Sequence, residues 1–424
     1  MPILKTIAPC FAILALLTLS GCWDRESPEK ESGKTEIVYW RHFYGPEDTA
    51  VKALIRTFEK QNPDITVNYQ SMPFKGYREK LNTSLYAGNG PDIINIHNSW
   101  AYGFIKSGLV RKIPGTVIPP EKLEQEFIPI VRSFSLNNAY YGLPVGGGCL
   151  ALFINTEQAK DAGLDLNSPP TNWKDLEKWA LQLSRKKDGR IVRSGFACGG
   201  TRSQSWNYLV EGLFRQNGAK IISRDRKEVL WNNAKGLEAF RWYMGFVTRH
   251  KIFDLSFAKT FQIFAERRCS MIVEGNWILQ KLSETAPELE YTVVPLPGRK
   301  QNATYGSCWG NCVTTVAEGP QESAAFRFLK FITSRKSALF WTEQVGELPV
   351  YKDILDTGEL GQKHPGLTPF IRSMSFAYSS IKKDETLYKK AIVEAIERVA
   401  LRNIPPEDAL NRSAQKINRM LRNK

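Results

Sequence analysis

The stretch Tyr141-Gly-Leu-Pro-Val-Gly-Gly-Gly-Cys-Leu-Ala-Leu-Phe-Ile-Asn155 decides how the chain is read. Pro144, with its fixed φ, runs into three consecutive glycines. Leu150 to Ile154 is then short, apolar and bounded by Gly and Asn, the pattern of a strand buried on both faces. Gly146 to Gly148 lack Cβ atoms, so the backbone there can reach unusual φ/ψ values and let another group come close. The stretch reads as a hinge strand between two α/β lobes. The same residues also suit a glycine-rich loop between neighbouring elements of one domain.

Toward the N-terminus, Glu36-Ile-Val-Tyr-Trp40 reads as a first strand, and Pro46-Glu-Asp opens a helix with acids in its first turn. Val51, Leu54, Ile55 and Phe58 recur at helical spacing until Asn62-Pro63 stops the helix. Ile65 to Tyr69 alternates as a second strand, Tyr77, Leu81 and Leu85 mark a second helix, and Ile93 to Ile96 is a buried third strand. Repeated βαβ units predict a mostly parallel sheet. In open α/β sheets, ligands bind outside the carboxyl ends of the strands. Arg41-His-Phe-Tyr44 and His97-Asn-Ser-Trp100 occupy those places, where they line a ligand or cap the sheet with packed aromatics.

Toward the C-terminus, Thr171 is the expected N-cap of a helix whose stripe of Trp173, Leu176, Trp179 and Leu183 belongs to a core. Gly199 to Trp206 is a polar loop entering a helix, and Asn233 begins another helix. A strand at Ser270 to Val273 leads into Glu274-Gly-Asn-Trp277, where a glycine turn presents an aromatic at a helix start. Strands are expected at Tyr291 to Pro297 and Tyr305 to Val316, and the remainder of the chain is helical.

At 424 residues the chain exceeds a usual single core, which favours two lobes. Its 42% hydrophobic and 24% charged content is that of a globular protein. An uncharged run from Thr6 to Ser20 after Lys5 has the length of a signal-peptide core, short for a membrane-stopping helix. Trp23 to Lys34 is polar and charged, a flexible tether. The net charge of +15 gives a basic surface suited to anionic headgroups. Nucleic acid is not an expected partner, since the charge is spread along the chain and the leader directs export. Cys308 and Cys312 bridge only if the chain turns between them, because four extended residues span roughly 13 Å, against a disulfide reach of about 7 Å. A metal site has little support from one C-x-x-x-C and scattered histidines.

Leu19-Ser-Gly-Cys22 resembles the bacterial lipobox, in which the cysteine is acylated and becomes the new N-terminus. Phe58-Glu-Lys-Gln-Asn-Pro-Asp64, Gly88-Asn-Gly-Pro-Asp-Ile-Ile94, Ser107-Gly-Leu109, Tyr141-Gly-Leu-Pro144, Phe153-Ile-Asn155, Glu274-Gly-Asn-Trp277 and Leu348-Pro349 share their order and wording with a known family. The chain resembles the extracellular solute-binding proteins of ABC importers, in the sugar-binding group typified by maltose-binding protein. That resemblance implies an α/β, two-lobe periplasmic-binding-protein (Venus-flytrap) fold with hinge crossovers and a helical C-terminus. It implies a signal peptide at 1–21, a lipid-anchored tether at 22–34, one lobe of 35–145 plus 298–347, and a second of 146–297 plus 348–424. The implied crossovers are Leu143 to Gly148, Pro295 to Arg299 and Gly346 to Val350.

The implied function is capture of a sugar or oligosaccharide between the lobes and delivery to ABC permease subunits, by a monomer anchored through Cys22 and facing the periplasm or exterior. No cofactor and no catalytic residue is expected. A sugar cleft needs flat apolar faces for pyranose C–H groups and a few polar groups for hydroxyls. The candidates are Trp40, His42, Tyr44, Asn98, Trp100, Gly148, Trp206, Glu274, Asn276, Trp277, Trp309 and Asn311. By the resemblance, Trp277 matches the family's cleft tryptophan, while Gly148 stands where the type member has a carboxylate and Ser99 and Trp100 replace its charged pair. Those departures leave open a non-sugar solute such as an amino-acid derivative, polyamine or anion. An enzyme is disfavoured by the lack of a G-x-S-x-G elbow, phosphate loop, H-E-x-x-H or nucleotide fingerprint, although paired carboxylates for glycoside hydrolysis stay open.

Overall fold

The computed structural model describes residues 33–42, 47–197, 205–255, 257 and 259–422, with the backbone alone for 205–207. Strand β1 (Thr35–His42), helix α1 (Glu47–Gln61), strand β2 (Ile65–Met72), helix α2 (Tyr77–Tyr86) and strand β3 (Ile93–His97) follow the expected order. β1 pairs in parallel with both β2 and β3, which makes it the centre of the βαβ units. α1 buries the expected stripe of Val51, Leu54, Ile55 and Phe58. Phe58 meets Phe328 of the helix Gly319–Ile332 at 5.0 Å between ring centroids.

Beyond these three strands the sheet is mixed, which corrects the expectation of a mostly parallel one. The strand Thr304–Val313 runs antiparallel to β3 and also to the crossover strand Leu143–Asn155. A βαβ pattern near the N-terminus says nothing about strands that return from distant parts of the chain.

The opening stretch forms one 13-residue strand, Leu143–Asn155, buried along its whole length. Its first half pairs with Thr304–Val313, as far as Cys149 opposite Gly306. From Leu150 onward it pairs with Met271–Gly275, and from Ala151 onward also with Tyr291–Pro295. The strand therefore changes partners between Cys149 and Leu150. Gly147 and Leu348 exchange both backbone hydrogen bonds at 2.8 Å, which ties this strand to the Glu347–Val350 segment.

None of Gly146, Gly147 and Gly148 has a positive φ, so the expectation of unusual dihedrals there is corrected. The glycines serve close approach instead. A Cβ at 146 would lie 2.7 Å from Trp341 Cδ1, one at 147 would lie 3.0 Å from the Ser307 carbonyl oxygen, and one at 148 would lie 1.8 Å from Asn276 Oδ1.

The helix Trp173–Leu183 is capped by Asn172, whose Oδ1 accepts from the Asp175 N–H at 3.0 Å, one residue past the expected Thr171. Asn233 caps Ala234–Thr248 as expected, accepting from the N–H groups of Lys235 and Gly236. The helices Glu385–Arg402 and Pro406–Arg422 pack on each other and on Ala234–Thr248. Cys149, Cys269, Cys308 and Cys312 are buried free thiols. Cys308 and Cys312 lie on one strand with no turn between them, so the condition for bridging them is not met. Among the described residues no helix is long and apolar enough to cross a membrane, and no group of three or more His, Cys, Asp or Glu side chains is placed to hold a metal ion.

Candidate functional site

Alternation along β1 sends Tyr39 and Arg41 to one face of the sheet and Trp40 and His42 to the other. On the second face, His42 stacks on Trp309 with ring centroids 3.6 Å apart and planes 26° from parallel. Trp309 stands edge-on to Trp100 at 5.3 Å and to Phe74 at 6.0 Å. Tyr77 holds helix α2 against this group, its hydroxyl donating to the carbonyls of Trp40 and Asn95, each at 2.9 Å. The Arg78 guanidinium lies 5.4 Å over the Trp100 ring. Phe74 keeps 44% of its surface exposed, unlike the other rings of the group.

The polar edge of this platform comes from β3 and the Thr304–Val313 strand. His97 shares hydrogen bonds with Ser99 Oγ at 2.7 Å and Ser307 Oγ at 2.9 Å. Asn98 donates to Ser379 Oγ at 2.5 Å and accepts from the Cys308 N–H at 3.3 Å. Burial, reinforced by Arg41 and His97, lowers the His42 pKa to about 2. Burial, with Lys382 and Arg78 nearby, lowers that of His97 to about 3. Both imidazoles are therefore neutral rings at physiological pH.

A second group lies on the other face of β1. Arg41, 1% exposed, pairs with Glu47 at 2.5 Å, and its guanidinium sits 4.6 Å from the Trp341 ring centre. The Trp341 indole N–H donates to Glu347 Oε2 at 2.8 Å. Glu47 and Glu347 line a cavity of about 100 Å³ together with Asn276, Trp277, Leu279, Gln280, Val345 and Gly346. Burial first, and then repulsion from Glu47, raises the Glu347 pKa to about 7. Asn276 Nδ2 donates to the Gly346 carbonyl at 3.1 Å, while its Oδ1 has no donor. That oxygen fills the space a side chain at 148 would need, so Gly148 and Asn276 act as a matched pair.

The structure thus gathers His42, Trp100 and Trp309, with Asn98 at their edge, into one group and Gly148, Asn276 and Trp277 into another. The groups are joined because Gly148 pairs with Ser307 across the strands. Three candidates fall elsewhere. Trp40 is buried in the sheet with Lys80 Nζ 4.7 Å over its ring. Glu274 is buried and accepts from Thr260 Oγ1 at 2.5 Å. Asn311 is 0% exposed, its Oδ1 accepting from the Tyr39 hydroxyl at 2.7 Å and from Asn95 Nδ2 at 3.0 Å. Tyr44, the Trp206 side chain and Cys22 lie outside the described residues.

Sequence reasoning missed Phe74, Tyr77, Arg78, Glu47, Trp341 and Glu347. Phe74 was within reach, since it follows the carboxyl end of β2 as His42 follows β1 and Trp100 follows β3, and the strand-end rule applies equally to all three. Glu347 carries a weaker signal, the left-handed Gly346 that ends the helix Arg335–Val345 just before it.

The sequence model of a bacterial extracellular solute-binding protein family matches residues 53–369. The sn-glycerol-3-phosphate-binding periplasmic protein UgpB of Escherichia coli (strain K12) is 24% identical over 421 residues, covering 92% of this chain and 93% of that one. A cyclic alpha-maltosyl-1,6-maltose binding protein from Arthrobacter globiformis superposes with a TM-score of 0.81 at 20% identity, covering 92% of this chain and all (100%) of that one. An ABC transporter solute-binding protein from Thermotoga lettingae TMO, bound with alpha-D-tagatose, gives 0.77 at 21% identity, with the same coverage of 92% and 100%. The architecture is the two-lobe solute-binding fold.

Proposed function

We propose that this chain, which belongs to the bacterial extracellular solute-binding protein family, captures a sugar or oligosaccharide between its two lobes and hands it to the permease of an ABC importer. The observation that carries the ligand class is the platform of His42, Phe74, Trp100 and Trp309 at the carboxyl ends of β1, β2 and β3. Flat rings receive the C–H faces of a pyranose, and polar groups at the rim receive its hydroxyls. The solved relatives bind a cyclic maltosyl-maltose and tagatose, which supports the same class. Membership of a binding-protein family supports a role without catalysis.

The lobes are 35–145 plus 298–347 and 146–297 plus 348–424. The change of partners within Leu143–Asn155 supports that division, because one strand serves two sets of neighbours. The sequence before residue 35 supports export and lipid attachment at Cys22, with the body facing the periplasm or exterior. The ligand closes the lobes by binding the closed arrangement more tightly than the open one. A calorimetric screen of maltose, maltotriose, tagatose and sn-glycerol 3-phosphate, followed by solution scattering with the best binder, tests this. Saturable sugar binding with a smaller radius of gyration is expected; binding of the phosphate alone, or sugar turnover, overturns it.

A further inference from the structure

The cavity beside Trp277 has a one-sided polar inventory. Its wall carries the carboxylates of Glu47 and Glu347 and the amide of Asn276. The cation that belongs to this group, Arg41, lies beneath the wall: it is 1% exposed, its Nη2 is bonded to Glu47, its guanidinium sits over the Trp341 ring, its Nε and Nη1 have no hydrogen-bond partner, and it does not line the cavity. Of the amide donors in the lining, Asn276 Nδ2 gives one N–H to the Gly346 carbonyl and Gln280 Nε2 gives one to Glu284. Asn276 is 4% exposed, and its Oδ1 receives no hydrogen bond. A buried acceptor without a donor is costly, and two carboxylates sharing one low-dielectric space repel each other. Both penalties disappear if a group bringing N–H donors and a positive charge enters.

We propose that this cavity takes the protonated amine of the bound solute, so that the ligand class is an amino sugar or another aminated solute. The inference rests on reading this cleft as the solute site and adds a charge to the ligand. Three N–H donors of an alkylammonium match the Glu347 and Glu47 carboxylates and Asn276 Oδ1. The Trp277 ring in the same wall adds cation–π attraction. The sign of the ligand follows from which side chains reach the cavity: two carboxylates do and the guanidinium does not.

The test is calorimetric titration of the purified full chain at neutral pH with D-glucosamine, D-glucose, ethanolamine and sn-glycerol 3-phosphate. D-glucosamine is expected to bind at least about tenfold more tightly than D-glucose, the range of a charge-assisted hydrogen bond. Glu347→Gln keeps the shape, removes a carboxylate that repels Glu47, and should bring the two sugars within about twofold of each other. Asn276→Leu should weaken the same preference by an independent route. Equal affinity for both sugars in the wild type, or a preference that survives both substitutions, overturns the inference and leaves the sugar reading standing. Ethanolamine binding that depends on Glu347, with no sugar bound, supports the inference and removes the sugar reading. Tighter binding of sn-glycerol 3-phosphate than of either amine, or no amine binding at all, overturns it.

Discussion

Two groups flank β1, and they are assembled by opposite means. Around Trp309, neutral rings stack and meet edge-on, and the Arg78 guanidinium lies over a ring. Around Glu347, an ion pair is enclosed under an indole, and a second carboxylate shares the space. Ring contacts gain dispersion and apolar burial whatever the pH. Enclosed charges gain only while every partner is present. The ring platform should therefore tolerate truncation in folding and lose ligand, whereas the charged group should lose folding first.

The sharpest way to break this contrast is Glu47→Gln, which leaves Arg41 enclosed without its ionised partner. A loss of about 3–5 kcal/mol of folding stability is expected by urea unfolding. A loss under about 1 kcal/mol would mean that the pair is not holding that face together.

The pH dependence of the two groups runs in opposite directions. Glu347 has its pKa raised from 4.5 to about 7, so the stability tied to its protonated form is fully present below pH 4.5 and is lost as pH rises through about 7. The shift corresponds to roughly 3 kcal/mol. His42 and His97, lowered from 6.5 to about 2 and about 3, act oppositely. Their contribution is present above pH 6.5 and is lost on acidification, at roughly 1.4 kcal/mol per pH unit for each imidazole. Glu347→Gln removes the opposing slope, so stability should fall more steeply on acidification from pH 7 to 4.5 than in the wild type. Parallel profiles for the two proteins would count against the coupling of Glu347 to its surroundings.

Trp309→Ala should lower affinity for a bound sugar by about 2 kcal/mol, as removal of a buried aromatic anchor does. The calorimetric affinity, set beside the urea midpoint, separates a site residue from a core residue. Gly148→Ala is the smallest change that touches both groups. The new methyl would meet Asn276 Oδ1 at 1.8 Å, so that amide must move. A cost of about 1–3 kcal/mol is expected, and Gly148→Ala combined with Asn276→Ala should recover part of it in a double-mutant cycle.

Much of this architecture was legible from local pattern. The stripe on α1, the Asn233 cap and the apolar run at Leu150 to Ile154 are set by neighbours within a few residues. The Asn172 cap was missed by one position because Thr171 and Asn172 are both good caps, and the choice depends on where the first turn docks. Of the proposed site, His42, Trp100 and Trp309 were named from strand ends, while Trp40 and Asn311, which share that setting, are interior. Alternation shows that neighbours point oppositely but not which face opens to the cleft.

The sequence by itself determined most of the elements and the long strand at Leu143–Asn155, because periodicity, caps and apolar runs are local physics. Only the tertiary structure decided why the three glycines are needed, since their constraint comes from Trp341, Ser307 and Asn276 approaching from distant segments. It also decided that Glu47 and Glu347 share one cavity wall while Arg41 stays beneath it. Burial, repulsion and the loss of solvent at a carboxylate depend on what the fold brings alongside it, and no local pattern in the chain carries that information.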